Sequence, residues 1–327
     1  MIRFACFLIV VFSTLPAMRA EEEWVTVGSP GNRADTNRAD TNRSDTNRVD
    51  TNRADTNRAD TTGLGAVAYE FQIMKYEVTV RQYAAFLNCV AVQSDPHQLW
   101  LPAMGEHVVT DLGQGGIRKD VPQCILREGA PGAWSYRPVM DREDGPVFCV
   151  SFFSALRYAN WLQNGGRNGD TESGAYDLSQ GAKVTRSASA TIWLPNEDEW
   201  YKAAYYQPED CGGPTGGYWR FPFASNDLPV SSEPGSEEKL AACFSRKFSG
   251  MVTVGSYPNA KSPCGALDMG GNVWEWTETV VFDWKRAMRG GSAAHLLEKM
   301  RSDVRSNASP DRWYPDTGFR LARRMGD

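Results

Sequence analysis

Gly270–Trp276 reads GGNVWEW, with two tryptophans either side of a glutamate directly after a glycine pair. Three kinds of chemistry suit such a run. The indoles could fill a core, they could stack on a sugar ring, or the glutamate could help hold a metal ion. A second run, RGGSAAH (Arg289–His295), sets a serine and a histidine three residues apart after another glycine pair. The remaining chemistry-bearing residues are sparse. Histidine occurs only at 97, 107 and 295, and no C-x-x-C is present, so zinc is not expected. The acidic run NEDEW (Asn196–Trp200) suits the first turn of a helix, where capping and the helix dipole account for its charge. Arg289, Arg301, Arg305 and Arg320 could form an anion site, but bidentate pairing with carboxylates that braces loops is the preferred reading.

These residues have to be positioned by local structure that the sequence signals clearly. In AYEFQIMKYEV, Tyr69, Phe71 and Ile73 alternate as in a half-buried strand. Thr79 and Gln82 then form a capping-box pair, followed by Tyr83, Phe86, Leu87 and Val90 at helical spacing. PVFCVSFFSALRYANWLQNGG predicts a strand and then a helix capped by Ser151 and stopped at Gly165. TIWLPNEDEWYKAAYY repeats the pattern, with Asn196 and Glu199 as the box. Elsewhere the chain is rich in Gly, Pro, Asn and Ser, as between Cys211 and Ser236, so the expected class is a single loop-rich α+β domain.

The chain has 327 residues, 41% of them hydrophobic, enough for one large core. A net charge of −5 argues against nucleic acid or anionic lipid as partner. Residues 1–20 read as a secretory signal, Arg3 followed by the apolar run Phe4 to Phe12, which is too short to span a bilayer. The protein is therefore expected to be exported, to the periplasm or beyond, and monomeric. Residues 21–31 form a lead-in. Residues 32–61 are six tandem pentads, NRADT, NRADT, NRSDT, NRVDT, NRADT and NRADT. With no large apolar residue to bury, they are expected to be a disordered spacer, an expansion inside a loop. The flanking GNRADT and TTG would join smoothly without five of the units. A globular domain is expected over 62–327. Six cysteines follow the signal; Cys211, Cys243 and Cys264 could form disulfides, whereas Cys149 reads as a small buried hydrophobe.

Five stretches taken together resemble one family: KYEVTVRQYAAFLN, PVFCVSFFSALRYANWL, WLPNEDEWYKAAYY, LDMGGNVWEWTE, and RGGSAAH leading to TGFRLAR. They are similar, over roughly residues 64 to 324, to the formylglycine-generating enzymes, or sulfatase-modifying factors. The resemblance implies a variant of the C-type lectin fold. It also implies one of three activities: copper-dependent oxidation of a sulfatase cysteine, iron-dependent sulfoxide synthesis, or binding without catalysis. It places one calcium ion on the side chains of Asp268 and Glu275 and the carbonyls of Gly271 and Val273, a hard oxygen set that calcium accepts. A second calcium site has no ligand run here, since AACFSRKFSG lacks the acidic and amide residues required.

The family's copper-binding cysteines would fall at His295 and near Met300, and no cysteine occurs after Cys264. A histidine and a thioether do not replace a thiolate pair for Cu(I), so copper is not expected. No H-x-x-x-H-x-E run serves the iron branch. Trp274, Ser292 and His295 remain as a candidate pocket, with His295 either a lone ligand or acid-base group or, as favoured, a loop histidine held by a carbonyl. The expected function is an exported, non-catalytic module binding a peptide, protein or glycan. The alternative is a divergent metal-dependent oxidoreductase acting on a peptide.

Overall fold

Side-chain alternation decides the strand Phe71–Met74, where Phe71 and Ile73 share an inward face and are fully buried. It is the centre of a four-stranded antiparallel sheet. Trp24–Val27 pairs along one edge, Ala322–Arg324 along the other, and Ile192–Trp193 lies beyond that. The structure, a computed structural model, describes residues 23–36, 63–105, 110–111, 117–118, 122–167, 169–244 and 250–326. The expected signal sequence and pentads two to six lie outside these residues.

The second sheet carries the motifs. Its order is Ser306–Ala308, Lys285–Arg289, Trp274–Val281 and Thr317–Gly318, antiparallel except for the last pair. The first four residues of WEWTETVV are all buried, because this strand is covered on both faces.

Three helices brace the sheets, each starting at its expected cap. Thr79 and Gln82 bond reciprocally at Val80–Val90, Ser151 caps Phe152–Gln163, and Asn196 with Glu199 forms the box of Glu197–Tyr205. Gly165 follows the second helix with φ +90°, the left-handed stop expected there. Tyr83 and Phe86 from the first helix meet Tyr158 and Trp161 from the second, and Phe319 packs on Tyr83 and Tyr158. Long connections hold little regular structure, so the α+β, loop-rich architecture is as expected.

Two expectations are revised. The domain does not begin at 62, because the lead-in supplies the edge strand Trp24–Val27 and the first pentad is docked in the fold. Asp35 bridges Leu64 and is buried beneath the hydroxyl of Tyr201. Nor do Cys211, Cys243 and Cys264 form disulfides: all six described cysteines are free thiols. Cys243 bonds the Gly250 carbonyl, Cys264 that of Ala203, and Cys211 is exposed. Burial pushes the thiols of Cys124 and Cys243 up to about 12 and that of Cys149 well above its usual range. Ellman titration of the native protein is therefore expected to show a fastest thiol that is lost in Cys211→Ser, with the buried Cys124, Cys149 and Cys243 reacting only on unfolding.

Candidate functional site

The turn from Asp268 to Trp274 is set by backbone geometry. Asp268, Gly271 and Asn272 all have positive φ, at 56°, 88° and 52°. A Cβ on Gly271 would sit 2.4 Å from the carbonyl oxygen of Cys243, so only glycine fits there. The Asn272 amide clamps the turn by bonding both backbone groups of Val252.

The two tryptophans are packing elements. Trp276 is fully buried, donates to the Val150 carbonyl and packs edge-on against Phe152. Trp274 is 5% exposed and its indole N–H points at His295. Neither offers a face to a sugar ring.

Glu275 points to the opposite side, into a buried acidic cluster. Its Oε1 accepts from Arg320 Nη2 at 2.7 Å, and its Oε2 accepts from Arg320 Nε at 2.7 Å and from the Trp200 indole at 2.8 Å. Arg320 also donates to the carbonyls of Met74, Lys75 and Leu267. Asp268 accepts from the Gly255 amide, and burial pushes its carboxyl up to about 6. The third member, Glu77, escaped the sequence reading. It is 1% exposed, and neither carboxylate oxygen has a hydrogen-bond partner. Burial first, then the charges of Asp268 and Glu275, hold it well above the usual carboxylate range despite Arg320. No periodic signal marks it, since the strand ends at Met74, and Lys75, at the same parity as Phe71 and Ile73, is only half-buried.

Three carboxylates therefore share one guanidinium, with two oxygens left unbonded. That deficit suits a hard divalent cation. Of the expected ligands, Asp268 lies in this cluster and Gly271 and Val273 lie on the adjoining turn, whereas Glu275 already serves as the counter-ion of Arg320. Among the described residues no three acidic, histidine or cysteine side chains form a metal set by themselves, so carbonyl oxygens would have to complete a shell. Glu77 also walls a cavity of about 140 Å³ shared with Glu23, Tyr76, Arg81 and Asp144.

The second feature is the Ser292 corner. Ser292 Oγ donates to Asp316 Oδ2 at 2.7 Å and lies 2.7 Å from His295 Nδ1. The same ring nitrogen is 3.4 Å from Asp316 Oδ2 and 3.2 Å from the Trp274 indole nitrogen. A serine–histidine–aspartate relay needs the hydroxyl and the carboxylate at opposite ring nitrogens. Here both meet Nδ1, so the arrangement is a brace and not a nucleophile with its base. The expected pocket residues Trp274, Ser292 and His295 are thus brought together, with Asp316 as an added member. The Nδ1 of His295 faces a hydroxyl, a carboxylate and an indole. Met300, in the second copper-ligand column, is 1% exposed and belongs to the core. His97 pairs with Glu172 at 3.2 Å, and His107 lies outside the described residues.

All four arginines brace loops through carboxylates as expected. Arg289 and Arg305 share Glu197, Arg301 takes Asp303, and Arg320 takes Glu275. The NEDEW charge does more than cap a helix. Glu199 also accepts from Tyr69 and Arg186, and Glu197 is a buried ion-pair hub.

Comparison with known proteins agrees with the fold. The model of the sulfatase-modifying factor enzyme 1-like domain matches residues 36–325. Formylglycine-generating enzyme of Thermomonospora curvata is 25% identical over 290 residues, covering 77% of this chain and 81% of that protein. Hercynine oxygenase of Mycobacterium tuberculosis is 28% identical over 199 residues, and the match spans 55% of this chain but only 37% of that protein. Among solved structures, CarF superposes with TM-score 0.51 at 21% identity, covering 93% of this chain and 99% of that one. Treponema denticola variable protein 1 gives 0.52 at 18% identity, covering 92% of this chain and 94% of that one, a likeness of fold. The chain belongs to the sulfatase-modifying factor, or formylglycine-generating enzyme, domain family.

Proposed function

We propose that this protein is an exported, non-catalytic binding module of the family, stabilised by one calcium ion, with a peptide as its ligand at the Ser292 corner. One observation carries the reading. The positions where the resemblance puts copper thiolates hold His295, whose Nδ1 faces a serine, a carboxylate and an indole, and Met300, which is core. Thiolates bind Cu(I) because both partners are soft, and this corner offers hard or engaged groups in their place. A peptide is preferred over a glycan because Trp274 and Trp276 are buried. Export rests on the apolar run after Arg3. Among the described residues no helix is long and apolar enough to cross a membrane.

For calcium, Glu77 and Asp268 would supply side-chain oxygens and Gly271 and Val273 carbonyls. Its charge would offset the surplus of buried carboxylates and fix the turn that carries Trp274. The test of the binding-module reading is incubation of the protein with Cu(I), oxygen and a cysteine-containing sulfatase peptide. Binding of the peptide, followed by tryptophan fluorescence, with no aldehyde product is the expected result. Oxygen-dependent aldehyde formation would overturn the reading and restore the oxidoreductase alternative.

A further inference from the structure

The first pentad is held as a ligand is held. The Asn32 amide donates to the Gly65 carbonyl at 2.7 Å and the Tyr218 hydroxyl at 2.8 Å, and its oxygen accepts from the Val67 amide. Tyr218 in turn donates to the Arg33 carbonyl, and Tyr201 donates to Asp35 Oδ2 at 2.7 Å. Arg33 and Thr36 are exposed and Ala34 is half-buried. The side chains that engage the slot are therefore Asn and Asp, and both are present in all six units, while the position that varies as Ala, Ser or Val is not among them.

The slot closes on the far side of the repeat. The Asp35 amide donates to the Leu64 carbonyl, and the Gly63 amide donates to the Asp35 carbonyl, although residues 36–62 intervene. Those two bonds are the pattern of a three-residue hairpin loop, with aspartate first and a left-handed glycine last. Gly63 already has φ +86°. If the sixth unit took the slot, the same bonds would close the local turn Asp60-Thr61-Thr62-Gly63, whose residue types suit it.

We propose that the domain carries a binding slot for one Asn-Arg-x-Asp-Thr unit, and that any of the six units of the same chain can occupy it. The contacts are the same for each unit. Changing the register moves slack from one side of the slot to the other without changing its total, and because a middle unit closes two loops where an end unit closes one, closure entropy favours the first and sixth units. The upstream anchors, from the Gly31 amide to the Val67 carbonyl and from Lys202 to the Ser29 carbonyl, precede the repeat and hold in every register. The segment between strand Trp24–Val27 and the slot thus lengthens in steps of five residues.

The test replaces the anchors of the first unit, Asn32→Ala with Asp35→Ala, in the full chain and in a chain lacking residues 37–61. In the shortened chain, losing these bonds is expected to lower the melting temperature by about 5–10 °C. In the full chain the drop is expected to be about 2 °C or less, because another unit fills the slot. Equal losses would overturn the proposal. Hydrogen exchange on the full-length double variant gives a separate answer if the shortened variant fails to fold. The Gly63 and Val67 amides are expected to stay protected, with new protection within residues 37–61. Loss of protection at both amides without a downstream gain would refute it.

Discussion

Adding calcium to the metal-free protein at pH 7.5 is expected to raise its melting temperature by about 5–10 °C at a hundredfold excess over the dissociation constant. Glu77→Gln is expected to abolish that gain and, at the same time, to raise the melting temperature of the metal-free form. The opposite signs follow from the cluster. Without a cation, Glu77 is a buried carboxyl with no hydrogen-bond partner beside Asp268 and Glu275. It is costly to hold ionised, as its raised carboxyl shows, and costly to protonate at this pH, so replacing it with a neutral amide relieves the fold. With calcium present, that same charge is a ligand.

The pH dependence follows from Asp268, whose carboxyl is raised from 3.8 to about 6 by burial. A raised carboxyl means that the folded state holds its proton more tightly than the unfolded chain. The resulting stability is complete below the unfolded value and is lost as pH rises through about 6. Calcium requires the ionised form, so its stabilising effect is expected to grow across the same interval. Scanning calorimetry at pH 5 and 7.5, with calcium or a chelator, reads all of this. A calcium response that survives Glu77→Gln would remove Glu77 from the site.

Arg320→Met is expected to cost about 4 kcal/mol in chemical denaturation, or to prevent folding, because it leaves a buried carboxylate without its partner. The guanidinium spans Glu275 and three backbone carbonyls at once. Arg320→Lys is expected to recover less than half the loss, since an ammonium has three donors and no planar fork. The exposed pair Arg81–Asp144 is the control, and Arg81→Ala should change stability by about 0.5 kcal/mol or less. If Arg320→Met costs no more than that control, the cluster is not under electrostatic stress.

What could be read from the sequence followed the range of the interaction. Helix caps are decided within four residues, and Thr79, Ser151 and Asn196 all act where their spacing put them. The role of the four arginines was legible because a buried guanidinium has few partners other than carboxylates and carbonyls. The resemblance offered Glu275 as a calcium ligand, and its pairing with Arg320 was not legible, since 45 residues separate them. Trp24–Val27 went unrecognised because the repeat lies between it and its partner strand. The tie from Asn32 to Tyr218 spans 186 residues, and a polar pentad without apolar side chains gives no hint that two of its groups are bonded in the fold. The loop cysteines misled for a related reason. An even count says nothing of geometry, and their thiols face carbonyls or solvent instead of one another.

The order of strands in the first sheet has a bearing on when the molecule can become itself during synthesis. Phe71–Met74 is made early, yet one of its edges stays open until Ala322–Arg324 arrives after every other described strand. Arg320, the cation of the acidic cluster, emerges just before it. Until then Glu275 has no counter-ion, and the central strand has unpaired amides and carbonyls. Contacts of such long sequence separation form slowly. The nascent polypeptide therefore remains unsealed while most of it is already made, which is the condition in which a chaperone can still hold it.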